Sequence, residues 1–325
     1  MAISRYSPCV STDPVRAAVA AIPSGSRTRF APAPTGFLHL GHLVNAVLVW
    51  GVARARGGTV VLRIEDHDRQ RSRAAWEAAL IDDLERLGLL PDEPALDAFR
   101  AGPTPWRQSD VPERYAAALA GLRHSGLVYA CDCARSSFAA WAAAHGGQAW
   151  MGPGCPGGCA DRGVVETPEA RLRVALGTGE EAWGDLLLGV RAGDPVAAGD
   201  LSVRDRSGNW TYAFCVVVDD LAQGIDLVIR GTDLTDATPG QLRLARLLSG
   251  APHPARFLHH PLVRRPDGTK LSKADGATAV RELLDAGADP AVLLADALRA
   301  GGVPDVPRSV PAEALGEVVG RAGGV

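Results

Sequence analysis

Residues 27–88 constrain the fold more than any other part of the chain. "RTRF" reads as a short strand, the Pro/Gly-rich loop "APAPTGFLHLGH" follows it, and "LVNAVLVWGVARARGG" has helical length and a Gly-Gly stop. "TVVLRI" is a β-branched run of the kind buried in parallel sheets, and "RAAWEAALIDDLERLG" is a second helix with Ser72 placed to cap it. Strand, helix, strand, helix predicts an α/β fold: a doubly wound, parallel-sheet, Rossmann-like nucleotide-binding domain. From Gly102 to Asp205 the regularity breaks into Pro-rich turns, a cysteine cluster, an alanine-rich helix and short strands such as "ARLRVAL". It resumes with "TYAFCVVVDD" and "DLVIRG", both read as strands, and the helix "TPGQLRLARLLSG".

The expected organisation is therefore a tail over residues 1–26, a first catalytic half over 27–101, an insertion over 102–205, a second half over 206–262, and a loop with a short helical C-terminal segment over 263–325. In the last part "ATAVRELLDAGADPAVLLADALRAGG" reads as two short helices. A length of 325 residues accommodates one domain split by an insertion. The net charge of −3 argues against a protein that coats nucleic acid by bulk electrostatics, though not against one with a local basic face. No run of roughly eighteen apolar residues occurs, so no membrane span is expected. The N-terminus lacks the order of a secretory signal, and the expected state is a cytoplasmic monomer.

Two clusters point to chemistry on phosphate. His39 and His42 flank Gly41 at the first strand-to-helix turn, where free N–H groups and the helix dipole favour anions and where ligands of such sheets bind. As isolated residues they would read as surface histidines; their position reverses that. In "GTKLSKADG", Lys270 and Lys273 are the only lysines, the other thirty-two basic side chains being arginine. A compact ammonium on a flexible stem suits a phosphate that gathers charge during a reaction. The plainer reading is an arginine-biased composition with two chance survivors.

"RFAPAPTGFLHLGH" together with "KLSKA" resembles the HIGH and KMSKS signatures of class I aminoacyl-tRNA synthetases. "RFAPAPTG", "RIEDHDRQRS", "TYAFCVVVDD" and "VIRGTDL" resemble the glutamyl branch more narrowly, and the ordered set spans residues 27 to about 275. The resemblance implies that His39, His42, Lys270 and Lys273 are catalytic, and that His39, Gly41, His42 and Lys273 hold ATP with its Mg²⁺. It also implies a glutamate site formed by Arg29, Phe30, Ala31, Pro32, Ala33, Glu65, Tyr212 and Arg230. The chemistry agrees: glutamate brings one ammonium and two carboxylates, which call for an acid and more than one guanidinium fork. Read alone, Arg29 and Arg230 would be surface salt bridges and Tyr212 a core aromatic. Asp66 and Asp68 are placed to cap the following helix. Ala33 and Ala274 stand where the signatures usually carry serine.

Cys131, Cys133, Cys155 and Cys159 form C-x-C, a long loop, then C-x3-C. Four clustered thiols in a cytosolic chain point to one structural Zn²⁺ with a closed tetrahedral shell rather than to disulfides. Cys215, in an apolar run, reads as a buried structural thiol. The cysteine cluster and the roughly fifty residues after Ala274 resemble the glutamyl-Q tRNA(Asp) synthetase subfamily. That resemblance implies activation of L-glutamate with ATP and transfer of the glutamyl group to queuosine in the anticodon stem-loop of tRNA(Asp), with Arg135 and Arg162 as candidate phosphate contacts. Three alternatives stand beside it: a truncated glutamyl-tRNA synthetase acting on tRNA(Glu), another adenylate-forming ligase or nucleotidyltransferase with the same signatures, and a non-catalytic zinc-dependent tRNA-binding module.

Overall fold

The computed structural model describes residues 14–144, 146–147, 155, 158–197, 199–263 and 278–321. It begins with α1 (Pro14–Ala20), where a tail was expected. Val15, Ala18, Val19 and Ile22 are buried in the main core. Burying each of the larger side chains stabilises by about 1.5–3 kcal/mol, enough to dock a short apolar segment that composition alone leaves ambiguous.

β1 (Arg27–Phe30), α2 (Leu40–Ala55), β2 (Thr59–Leu62) and α3 (Ala74–Arg86) follow as the pattern predicts. β1 and β2 pair in parallel, with Arg27 opposite Thr59. α2 is buried continuously from Ala46 to Ala53, as a crossover helix must be when both the sheet and other helices cover it. It stops before Gly57, whose φ of +59° strains any other residue, and a Cβ on Gly58 would collide with the Ser26 carbonyl. α3 has Arg73, not Ser72, at its N-cap, and the Ser72 hydroxyl is buried without a hydrogen-bond partner among the described residues. Asp66 and Asp68 do not cap α3 either. Asp68 accepts the N–H groups of Gln70 and Arg71 and closes the turn before it, while Asp66 accepts from Ser109.

Next come α4 (Asp97–Ala101), α5 (Pro112–His124), β3 (Val128–Cys131), α6 (Arg135–Ala144), β4 (Arg171–Val174), β5 (Glu181–Asp185), β6 (Gly189–Gly193) and β7 (Leu201–Arg204). β3, β4 and β7 make a separate antiparallel sheet, packed through Leu172, Val174 and Val203 against Tyr115 and Leu119 of α5. "TYAFCVVVDD", expected as a strand, is the helix α7 (Tyr212–Ala222). Phe214 to Asp220 are buried without a break, so this helix has no polar stripe for a periodicity argument to find.

β8 (Leu227–Gly231), α8 (Thr238–Ser249) and β9 (Arg256–His260) complete the α/β part. β9 pairs in parallel with β8 and with β5, and β6 hangs on β5 as an antiparallel edge. The Arg27 N–H donates to the Asp226 carboxylate at 2.7 Å and the Asp226 N–H to the Arg27 carbonyl at 3.1 Å, which stitches β1 to β8. α9 (Val280–Asp285), α10 (Pro290–Ala300) and α11 (Leu315–Gly320) close the chain, with Leu298, Leu315 and Val319 in the same core as α2. No helix among the described residues is long and apolar enough to cross a membrane.

Candidate functional site

The carboxyl ends of β1, β2 and β8 and the start of α2 surround one cavity of about 460 Å³, a size usual for small-molecule sites. Parallel strands deliver their following loops to one edge of the sheet, and the start of α2 opens there. His39 is the N-cap: its Nδ1 accepts the Gly41 N–H at 3.0 Å, and the His42 Nδ1 accepts the His39 N–H at 3.2 Å. In each neutral ring the proton is thereby placed on Nε2, so both imidazoles are set as donors. The rings lie 3.9 Å apart, and a Cβ at position 41 would sit 3.0 Å from the His39 ring, which explains the glycine between them.

Beneath the cavity floor lies a buried ion network. Asp220, on α7, receives Arg29 Nε at 3.1 Å and Arg63 Nη1 at 2.8 Å, and Arg63 Nη2 reaches Glu65 Oε1 at 3.0 Å. Burial works hardest on Asp220 and would raise it, but Arg29 and Arg63 outweigh burial and hold it below the ordinary aspartate range. Glu65 goes the other way: burial dominates and pushes it up despite Arg63. Arg63, 1 % exposed, is the hub that ties β2 to α7.

Arg230 is held differently. Its Nε donates to His259 Nε2 at 3.0 Å, Nη1 to Gln241 at 2.7 Å and Nη2 to the Thr238 hydroxyl at 2.8 Å. Because His259 Nε2 accepts, its proton sits on Nδ1, where it is donated to Asp185. Among the described residues no carboxylate pairs directly with Arg230, which is 5 % exposed, and burial holds its guanidinium below the ordinary value. A buried cation fixed only by neutral acceptors is built to meet an anion from outside. Burial raises Tyr212, at the start of α7, so its hydroxyl stays protonated.

Arg29, Ala31, Pro32, Ala33, Gly41, His42, Glu65, Tyr212 and Arg230 all line this cavity. Phe30 does not: it is 2 % exposed and packs on Trp50 in the core, because β1 alternates its faces. His39 meets the site through His42, whose ring lies tilted against its own. Lys270 and Lys273 lie outside the described residues. Asn45, His67, Asp68 and Arg71 also line the cavity and were not anticipated. Asp219 and Asp220 ending an apolar run were the legible signal for buried cations nearby.

The four predicted cysteines converge, with all four sulfurs within 4.8 Å of one another. Cys133 Sγ is 3.4 Å from both Cys155 and Cys159. A tetrahedral zinc with Zn–S bonds of about 2.3 Å sets sulfurs roughly 3.8 Å apart, so the cluster fits such an ion after small adjustments. Burial pushes the Cys133 and Cys159 thiols up, and a bound cation would reverse that. Arg162, a candidate phosphate contact from the sequence, is half-exposed and donates to Asp132 and, at 3.0 Å, to Cys159 Sγ. Cys215 is fully buried, as expected.

Residues 26–309 match the model of the catalytic domain of class I tRNA synthetases (E and Q). The chain is 41 % identical, over 88 % of its length and 90 % of the relative's, to a glutamyl-Q tRNA(Asp) synthetase of Symbiobacterium thermophilum. It is 38 % identical over 79 % of its length to a glutamate–tRNA ligase of Bordetella parapertussis, of which it covers 52 %. The same fold appears in a glutamate tRNA ligase of Elizabethkingia meningosepticum, with a TM-score of 0.72 and 23 % identity over 92 % of this chain and 65 % of that one. The chain thus belongs to the class I tRNA synthetase family, in its glutamyl and glutaminyl branch, and is a ligase of that family.

Proposed function

We propose that this chain activates L-glutamate with ATP and transfers the glutamyl group to queuosine at the wobble position of tRNA(Asp). In the first step a carboxylate oxygen of glutamate attacks the α-phosphorus of ATP, and the bond to pyrophosphate breaks, leaving glutamyl-adenylate. In the second a hydroxyl of the modified base attacks the carbonyl carbon, AMP leaves, and the hydroxyl proton is released. Arg230 takes one carboxylate with its fork, Arg29 supports it, Glu65 receives the ammonium and Tyr212 adds a hydroxyl. His39 and His42 donate through Nε2 to the phosphates at the dipole end of α2, Gly41 lets them approach, and Lys270 and Lys273 follow the charge as it builds. Mg²⁺ enters with ATP. One Zn²⁺ on the four cysteines is structural and shapes the residue 102–205 insertion, which would meet the anticodon stem-loop. The enzyme is placed in the cytoplasm as a monomer.

One observation carries the amino-acid assignment: a buried Arg230 bonded only to neutral groups at the edge of a cavity that also presents Glu65. The choice of tRNA is supported by relatives of that name at about 41 % identity. The test is to supply labelled glutamate, ATP and Mg²⁺, then tRNA(Asp) with and without queuosine beside tRNA(Glu). Label on queuosine-bearing tRNA(Asp) alone is expected. Charging of tRNA(Glu) instead would assign the chain to protein synthesis, and absence of glutamate-dependent pyrophosphate exchange would remove the glutamate reading.

A further inference from the structure

His67 lines the cavity with Glu65 and Tyr212, its ring centred 6.5 Å from that of Tyr212. Its Nδ1 is 2.7 Å from Gln108 Oε1. The orientation of the Gln108 amide is decided from behind. Its Nε2 lies 2.8 Å from Asp219 Oδ2, and the other groups bonded to Asp219 are donors: the Tyr115 hydroxyl at 2.8 Å and Arg114 Nη1 at 2.6 Å. The amide nitrogen therefore faces the carboxylate and the amide oxygen faces the imidazole. An oxygen accepts, so His67 Nδ1 carries hydrogen and Nε2 of the neutral ring keeps its lone pair. Tyr115, Gln108 and Asp219 are at most 2 % exposed, so water does not compete for this setting. His67 is thus the opposite of His39 and His42, whose neutral rings are set as Nε2 donors.

An acceptor at this wall has one obvious use. The Arg29 and Arg230 side repels a cation, whereas Glu65 attracts one, but Glu65 Oε1 already receives Arg63. An ammonium has three N–H groups to satisfy, and Ala31, Pro32 and Ala33, which line the same cavity, bring no side-chain acceptor. We infer that His67, through Nε2, is a second acceptor for the α-ammonium of the amino-acid substrate, with the Tyr115–Asp219–Gln108 chain as its positioning group. This assignment rests on the glutamate reading above.

The test compares wild type, His67→Leu and His67→Gln in glutamate-dependent ATP–pyrophosphate exchange, with thermal melts to confirm folding. Glutarate, which is glutamate without its amino group, serves as a competitive inhibitor. Losing one bond to an ammonium raises the KM for glutamate about ten- to a hundredfold in His67→Leu, with the KM for ATP unchanged. His67→Gln, which keeps an acceptor, recovers part of the loss. The inhibition constant of glutarate stays put, because glutarate never used the bond. A glutamate KM within about twofold of wild type, or equal weakening of glutamate and glutarate, overturns the assignment. A wild-type enzyme with no glutamate-dependent exchange would instead bring down the reading beneath it.

Discussion

Val280 donates its backbone N–H to the Leu38 carbonyl at 2.8 Å, so α9 begins against the loop that leads through His39 into α2 and His42. Ala279 bridges His39 at the same place. Two distant parts of the chain are joined here by backbone, and a side-chain clamp reinforces the joint. Arg281 covers the Phe37 ring at 5.1 Å and points Nε at Asp83 of α3, 3.5 Å away.

Asp83 is fully buried, and neither oxygen has a hydrogen-bond partner at closer range among the described residues. Burial pushes it up and Arg281 only partly opposes that. Arg281→Met should therefore cost about 3 kcal/mol, the low end for breaking a buried pair, since Arg281 is itself partly exposed. Asp83→Asn combined with Arg281→Met should recover most of it. Urea unfolding of both single variants and the double variant measures the coupling; additive losses would mean the two residues do not interact.

Asp220 should govern stability in acid. Its folded pKa lies below the ordinary value of 3.8, so its contribution is complete above that value and vanishes as pH falls through the lower folded one. Asp220→Asn leaves Arg29 and Arg63 buried with one partner fewer, which should cost about 3–5 kcal/mol at neutral pH. The variant should also lose the steepest part of the wild-type acid transition. Chemical denaturation at pH 7 and at pH 3 checks both, the gap between the proteins narrowing at the lower pH.

The sequence made the scaffold legible because local signals agreed: a β-branched run for β2, a Pro/Gly-rich loop between β1 and α2, a Gly-Gly stop for α2, turn residues around α8. It misled at α7, where "AFCVVVDD" is apolar on every side and a buried helix looks like a buried strand. Of the site, the residues at strand ends and helix starts were legible, since their place follows from topology. The supports were not. Arg63 meets Asp220 across 157 positions and His67 meets Gln108 across 41, pairings that only the folded chain reveals.

Cys155 is the least buried of the four cysteines. One zinc per chain is expected in the purified protein by atomic emission. Cys155→Ser should lower that stoichiometry well below one after dialysis against a mild chelator, and residues around β3 should exchange amide hydrogens faster than those of β1 and β8. Full zinc retention would contradict a four-thiolate shell.

Arg230 tests the amino-acid site most directly, because its ring of neutral partners gives it no internal anion to satisfy. If the proposed glutamate site is right, Arg230→Met should raise the KM for glutamate by about a hundredfold while the KM for ATP stays near wild type, since the substrate bonds it would remove are charge-assisted and would be made to the amino acid rather than to ATP. Arg230→Lys keeps the charge but not the planar fork, and its partners His259 and Gln241 were arranged for that fork, so it should restore only a minor share. Asp185→Asn acts one step further back: it loosens the tautomer of His259 and should weaken glutamate less than Arg230→Met does. The order Arg230→Met, then Arg230→Lys, then Asp185→Asn in glutamate KM is the signature of a guanidinium positioned through His259. An Asp185→Asn enzyme weaker for ATP than for glutamate would place the Asp185–His259 pair in the nucleotide site instead.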